Sequence, residues 1–240
     1  MIRVSLLLAT YGRPQQAVDI FKRWVNNADR PRDVEFLLGM DDIDNTVVDY
    51  YNAFNVDEIN KIGRFEINIG TSRNIVQALN RVAKTISDTS ELIMQISDDM
   101  DTIPSWDTEL FKMLDGVDNF KDPKYIVACD GVDNLPGVHH DGIERCCYVM
   151  INRAFYNRLG YLLYEEYSGL GADEDLFAVA RLLNAIVDAR HLYFNHMRWE
   201  SSGAKVDDTY LRSSNTDIYW KGQKILLERK ARNFDLGDIK

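Results

Sequence analysis

The first hundred residues alternate strand signals, such as the apolar run Val4–Ala9, with stretches of helical periodicity. Four runs predict strands: Val4–Ala9, Val34–Met40, Arg64–Ile69 and Leu92–Ile96. One helix is expected to begin near Pro14, and another to follow Thr71 and Ser72 as N-caps. Apolar strands that alternate with helices are typical of βαβ units, so the sequence predicts a single α/β domain with a central, mostly parallel mixed sheet flanked by helices.

Polar segments follow three of these predicted strands. They are Thr10-Tyr11-Gly12-Arg13 after the first strand, Asp41-Asp42 after the second, and Asp98-Asp99-Met100-Asp101 after the fourth. Because βαβ crossovers are right-handed, the carboxyl ends of the strands share one edge of the sheet, where ligands bind. We therefore expect the three segments to meet.

The acidic segment after the fourth strand holds three carboxylates within four positions, from Asp98, Asp99 and Asp101. Such carboxylates repel one another unless a cation or solvent neutralises them. Hard divalent ions such as Mg²⁺ and Mn²⁺ prefer oxygen ligands. The alternatives are a metal site and a solvated acidic turn, and the convergence of strand ends favours the metal site.

Charge and composition exclude some functional classes. The 240 residues contain 28 Lys and Arg against 38 Asp and Glu, and the net charge of −10 argues against broad contact with a phosphate backbone. A basic stretch near the C-terminus is interpreted as a solvated helix face: Lys221, Lys224, Arg229, Lys230 and Arg232.

The sequence shows no run near the roughly 18–20 apolar residues that span a membrane, and its start lacks a signal-peptide cleavage pattern. The three cysteines, Cys129, Cys146 and Cys147, are odd in number, and sequence neighbours rarely pair. We therefore expect a reduced, cytoplasmic location.

The second half of the chain is less regular. Its predicted strands are Tyr125–Cys129, Cys146–Ile151 and His191–Asn195, and a polar loop with His139 and His140 separates the first two. The acidic run Asp173-Glu174-Asp175 opens a helix after Gly169-Leu170-Gly171. Acidic residues in a first helical turn are favoured by the macrodipole, so simple capping is one interpretation of that run.

Taken in order, these features resemble the GT-A-fold nucleotide-sugar glycosyltransferases, most closely the family 2 type. The resemblance spans roughly residues 4–199 and depends on the order and spacing of the motifs. The motifs are Thr10-Tyr11-Gly12-Arg13-Pro14, Asp41-Asp42, Gly70-Thr71-Ser72-Arg73-Asn74, Asp98-Asp99-Met100-Asp101 with Pro104 and Trp106-Asp107, Asp173-Glu174-Asp175-Leu176, and His196.

The resemblance implies a GT-A-like, Rossmann-like catalytic domain over residues 1–200 and a C-terminal extension over 201–240 with a basic helix. The nucleotide-sugar half would cover about 1–107 and the acceptor half about 108–200. The implied activity is metal-dependent, inverting transfer of a sugar from a nucleoside diphosphate sugar, such as a UDP-sugar, to a hydroxyl of an unknown acceptor. That acceptor could be a glycan, a small molecule, a protein or a modified nucleobase.

The resemblance also implies roles for individual residues. The nucleoside contacts would be Thr10, Tyr11, Arg13 and either Asp41 or Asp42, with Arg73 and Asn74 near the base or the phosphates. The divalent cation, Mn²⁺ or Mg²⁺, would be held by Asp99, Asp101 and His196, with Asp98 assisting at the nucleotide sugar. His139 or His140 could supply the imidazole instead, and His196 could be a core histidine beside Trp199.

An inverting reaction also needs a carboxylate base for the acceptor hydroxyl. The acidic run before Leu176 resembles the motif that supplies it, with Asp173 the first choice and Asp175 the second.

Three alternatives to this activity remain at the level of the sequence. A sugar nucleotidyltransferase usually carries a Gly-rich, basic signature after the first strand, where this chain has one glycine and one arginine. A binding module on a degenerate scaffold would not need the acidic clusters and His196. A glycosyltransferase acting on a modified DNA base is supported by the basic stretch and opposed by the net charge.

Overall fold

One mixed sheet forms the centre of this computed structural model, which describes residues 1–129, 148–196, 208–213 and 215–237. Its strands within those ranges are β1 (Val4–Thr10), β2 (Val34–Asp41), β3 (Arg64–Gly70), β4 (Leu92–Ile96), β5 (Met100–Thr102), β6 (Tyr125–Cys129), β7 (Met150–Asn152) and β8 (Ile186–His196). Their order in the sheet is β3-β2-β1-β4-β7-β6-β8-β5. The first four strands are parallel, which confirms the predicted α/β fold.

The register of the parallel strands brings their carboxyl ends to one edge. Thr10 of β1 lies opposite Met40 of β2, and Asp41 lies opposite Gly70 of β3. On the other side of β1, Leu8 pairs with Ile96, the last residue of β4. The polar segments after β1, β2 and β4 therefore leave the sheet side by side.

Helices cover the sheet. Those in the described ranges are α1 (Pro14–Asn26), α2 (Val47–Ala53), α3 (Val56–Ile59), α4 (Ile75–Ala83), α5 (Trp106–Asp115), α6 (Arg153–Leu159), α7 (Ala172–Leu182), α8 (Asp208–Ser213) and α9 (Thr216–Ala231). Short 3₁₀ turns lie at Pro31–Asp33 and Asn233–Asp235. In the core beneath α1, the Phe21 ring lies edge-on to Phe36 and Phe65, with centroid distances of 5.1 and 5.3 Å.

The start of α4 corrects one prediction from the sequence. Thr71 and Ser72 do not cap this helix. Asn74 is its N-cap, and its side-chain oxygen accepts a hydrogen bond from the Gln77 N–H at 3.0 Å. Asn74 can take this role because its backbone is extended while the next residue is already helical.

The second half of the sheet mixes directions. β7 lies antiparallel between β4 and β6, and β8 runs parallel to β6. An irregularity between Ala128 and Cys129 shifts the register, and the end of β8 then pairs antiparallel with β5. The strand predicted at Cys146–Ile151 is shorter and shifted: Cys146 and Cys147 lie outside the described residues, and β7 begins only at Met150 and ends at Asn152.

The basic stretch near the C-terminus is only partly a solvated face. Arg229 of α9 is 1% exposed, so the sequence interpretation is wrong for this residue. Its Nε donates to Asp175 Oδ2 of α7 at 3.0 Å, and its guanidinium lies 3.8 Å from the centre of the Tyr164 ring. A buried ion pair therefore joins α9 to α7.

Across the four described ranges, we find no helix with both the length and the apolar character needed to cross a membrane.

We expect Asp175→Asn to lower the free energy of unfolding by about 3–5 kcal/mol, because it removes the buried carboxylate that pairs with the buried Arg229 guanidinium. Asp235 contacts the same guanidinium at 2.6 Å, but its side chain is 35% exposed. Asp235→Asn should therefore cost less than about 1 kcal/mol. Urea unfolding of both variants measures the difference, and equal losses would contradict this account of the pair.

Candidate functional site

A cleft of about 290 Å³ opens at the carboxyl edge of the parallel strands. Among the residues that the sequence predicts for the site, those lining the cleft are Thr10, Tyr11, Arg13, Asp41, Arg73, Asn74, Asp98, Asp99 and His196. The other predicted residues, Asp42, Asp101, Asp173 and Asp175, are not among the lining residues. The cleft thus brings together side chains from β1, β2, the start of α4, the end of β4 and the end of β8.

Asp99 and His196 are in direct contact in this cleft. His196 Nε2 lies 3.2 Å from Asp99 Oδ2, and the Ser97 hydroxyl donates a hydrogen bond to the other carboxylate oxygen. Their positions follow from the pairing of β5 with β8, in which Met100 is opposite His196. Burial disfavours the charge of Asp99, but the hydrogen bonds from His196 and Ser97 outweigh it and lower the pKa of this carboxyl.

The spacing of this pair fits two ligands of one divalent ion. Neighbouring ligands at about 2.1 Å from an octahedral ion lie roughly 3.0 Å apart, close to the 3.2 Å between Asp99 Oδ2 and His196 Nε2. The described ranges contain no group of three His, Cys, Asp or Glu side chains arranged for a metal. Phosphate oxygens and water would therefore have to complete the shell, as is usual for Mg²⁺.

Asp101 does not join Asp99 and His196, contrary to the prediction. Its Oδ2 lies 3.5 Å from Arg23 Nη1, and its Oδ1 accepts the N–H of Thr102. Successive side chains of a strand point to opposite faces. Met100 lines the cleft, so Asp101, the next residue of β5, faces away from it.

Asp98 is paired with Arg13 across the cleft. Arg13 Nη1 lies 2.7 Å from Asp98 Oδ2, and both side chains are largely buried. This ion pair joins the segment after β1 to the segment after β4. The Asp98 carboxylate is therefore neutralised by the guanidinium of Arg13.

The two carboxylates after β2 have different surroundings. Asp41 is 7% exposed and lines the cleft. Asp42 is exposed, and its Oδ2 accepts a hydrogen bond from the Thr71 hydroxyl at 2.7 Å. Of the two candidates for the nucleoside contact, the geometry favours Asp41. Arg73, an exposed side chain, lies on the same wall at the start of α4.

Two buried side chains that the sequence analysis missed hold the turn after β1. The Tyr50 hydroxyl accepts the Arg13 N–H at 2.9 Å and lies 2.8 Å from Thr10 Oγ1. Asp44 Oδ2 accepts the Gly12 N–H at 2.7 Å. Burial raises the pKa of Tyr50 to about 12, so the hydroxyl keeps its proton at neutral pH. The acidic run after β2 signalled Asp44, but no sequence signal pointed to Tyr50.

A third missed residue, Arg81 of α4, holds the ends of β2 and β3. Its Nη2 donates to the Met40 carbonyl and its Nη1 to the Asn68 carbonyl, at 2.7 and 2.8 Å. Burial lowers the pKa of Arg81, and the charges of Asp41 and Asp42 oppose that shift. The guanidinium thus places a positive charge behind both carboxylates.

The two candidate bases lie in the first turn of α7. Asp175 is 1% exposed, and Arg229 and Tyr167 contact its carboxylate, so this geometry does not present it to an acceptor. Asp173 is half-buried and lies outside the lining of the cleft. His139 and His140, the other possible source of imidazole, lie outside the described residues.

Comparison with known proteins gives structural matches. No family model and no curated protein matches the chain. The crystal structure of S. aureus TarS matches with a TM-score of 0.64 and 12% identity over 95% of this chain and 39% of that one. This chain thus spans well under half of TarS, of which a 1–349 piece has been solved with UDP-GlcNAc.

Two further structural matches are glycosyltransferases. The mannosyltransferase PcManGT from Pyrobaculum calidifontis, in complex with GDP-Man and Mn²⁺, has a TM-score of 0.60 and 11% identity over 95% of this chain and 75% of that one. Drosophila β1,4-galactosyltransferase 7 has a TM-score of 0.54 and 13% identity over 93% and 80%. These matches confirm the predicted GT-A-like fold.

Tyr50→Phe should lower the free energy of unfolding by about 1–3 kcal/mol, because it leaves the Arg13 N–H without its acceptor. Tyr51 is the matched control, since it is adjacent in sequence and 55% exposed. Tyr51→Phe should unfold at the same urea concentration as the unmodified chain. A Tyr50→Phe variant with unchanged stability would show that the turn after β1 does not depend on this hydroxyl.

Proposed function

We propose that this chain is a divalent-cation-dependent glycosyltransferase that takes its sugar from a nucleoside diphosphate sugar. One observation carries the proposal: Asp99 and His196 lie 3.2 Å apart in a cleft that Asp41 and Arg73 also line. This set combines two cation ligands, a buried hydrogen-bond acceptor and an exposed cation. The fold it shares with a mannosyltransferase solved with GDP-Man and Mn²⁺ supports the same chemistry.

In this proposal the nucleoside binds against the end of β1, near Tyr11, with the Asp41 carboxylate accepting hydrogen bonds from it. The Arg73 guanidinium binds the diphosphate. Asp99 and His196 hold the cation, Mn²⁺ or Mg²⁺, and such an ion stabilises negative charge on a leaving diphosphate. Arg13 remains with Asp98 and keeps the segments after β1 and β4 together.

The transfer itself is proposed to invert the anomeric carbon. The acceptor oxygen forms its bond to that carbon while the bond to the diphosphate oxygen breaks, and a carboxylate takes the hydroxyl proton. Asp173 is the proposed base, because the carboxylate of Asp175 is already paired with the buried Arg229 guanidinium. The acceptor hydroxyl belongs to a glycan, small molecule, protein or modified nucleobase, and the cytoplasmic location stays a prediction.

Hydrolysis of UDP- and GDP-sugars with Mn²⁺, compared with excess chelator, tests the proposal. We expect Mn²⁺-dependent release of a nucleoside diphosphate, and we expect Asp99→Asn to abolish it. Asp101→Asn is the matched control, since its carboxylate lies against Arg23. Full activity in excess chelator would contradict the proposed dependence on a divalent cation. Formation of pyrophosphate from a nucleoside triphosphate and a sugar 1-phosphate would favour the nucleotidyltransferase.

Asp173→Asn should lower kcat by on the order of 10²–10⁴, with donor affinity unchanged, because the variant cannot accept the proton of the acceptor. Glu174→Gln is the neighbouring control, since the Glu174 side chain already accepts a hydrogen bond from Gln223 at 3.3 Å. The measurements are kcat with a transfer acceptor and nucleotide-sugar binding by calorimetry. Near-normal kcat in Asp173→Asn would exclude it as the base.

A further inference from the structure

The short helix α8 borders the cleft. Thr209 and Tyr210 of α8 are among its lining residues, with the ends of β1 and β2. Thr209 Oγ1 donates a hydrogen bond to the Tyr11 carbonyl oxygen at 3.2 Å. A Cβ built on Gly12, whose φ is +66°, would lie 3.7 Å from the same hydroxyl. The short helix α8 therefore lies directly against the turn that follows β1.

The next helix, α9, is fixed on the body of the domain. A Cβ built on Gly222 would lie 2.2 Å from the Leu170 carbonyl oxygen, so the two backbones meet at a distance that only glycine permits. Lys221 Nζ lies 3.5 Å from the hydroxyl of Ser168, which also lines the cleft. Together with the buried pair of Arg229 and Asp175, these contacts hold α9 beside the cleft mouth.

Two tyrosines consequently line one cleft from separate parts of the chain. Tyr11 follows β1 and Tyr210 belongs to α8, and both are only partly buried. Thr209 joins them, because it precedes Tyr210 in sequence and bonds to the Tyr11 carbonyl. Aromatic side chains that line a cleft suit a planar ring, and stacking on a nucleobase does not depend on which base is present.

We propose that α8 forms a wall of the nucleoside subsite and that the Tyr210 ring packs against the nucleobase of the donor. This inference rests on the proposed function, and it makes Tyr210 a donor-binding residue outside the predicted catalytic domain of residues 1–200. Stacking by Tyr210 supplies affinity for any base, while the Asp41 carboxylate on the opposite segment can distinguish bases through their hydrogen-bond donors.

Calorimetric binding of UDP, GDP, ADP and CDP in the presence of Mn²⁺ tests the proposal on the full chain, with inorganic pyrophosphate as a ligand that lacks a base. Tyr210→Ala and Tyr210→Leu should weaken the binding of the nucleoside diphosphates by roughly 5- to 150-fold, which is the contribution expected from one stacked ring. Pyrophosphate binding should stay unchanged, and Tyr210→Phe should keep wild-type affinity for all ligands.

Tyr219→Ala is the matched control, because Tyr219 is 44% exposed on α9 and its ring contacts Trp220. It should bind every ligand as the unmodified chain does. Unchanged nucleotide affinity in Tyr210→Leu overturns the inference, and so does an equal loss for pyrophosphate. A different result would contradict the proposed function itself. In that result, the unmodified chain binds pyrophosphate, and none of the nucleoside diphosphates binds more tightly than pyrophosphate does.

Discussion

The candidate site depends on the antiparallel pairing of β5 with β8. Asp99 and His196 are 97 residues apart in sequence, and their contact exists because Met100 lies opposite His196 in this pairing. The core fixes both strands to α1. Trp24 donates its indole N–H to the Met100 carbonyl at 3.3 Å and stacks on Phe194 of β8 at 5.5 Å. Packing beneath the sheet therefore sets the spacing of the two proposed cation ligands.

The carboxyl edge of the sheet needs a second kind of support. Where strands end, their backbone groups lose ladder partners, and leaving such groups buried and unbonded is costly. Arg81 bonds the carbonyls of Met40 and Asn68, while Tyr50 and Asp44 bond the N–H groups of the turn after β1. These side chains also hold the segments that carry Tyr11 and Asp41. The hydrogen bonds that satisfy the backbone groups at the strand ends therefore also shape the cleft.

Local patterns predicted the fold well and the distant contacts poorly. The run Leu92–Ile96 matches β4 residue for residue, because an apolar strand buried on both faces leaves an unbroken signal. The three-residue strand β5 leaves no such signal, so the change from a turn at Asp99 to a strand at Asp101, which places the two carboxylates apart, could not be seen. Convergence of Asp41 and Asp99 was predictable, since the handedness of crossovers depends on topology and not on side-chain detail.

The acidic run at the start of α7 shows why sequence alone could not separate structure from chemistry. Asp173 and Asp175 look equivalent as first-turn carboxylates, and the partner that distinguishes them, Arg229, lies 54 residues beyond Asp175. That ion pair has a second effect. Because it joins the first turn of α7 to α9, the proposed base and the helix that follows the Tyr210 wall share one buried anchor. A displacement of α9 would therefore disturb the first turn of α7, which carries the proposed base, together with α8, which lines the cleft.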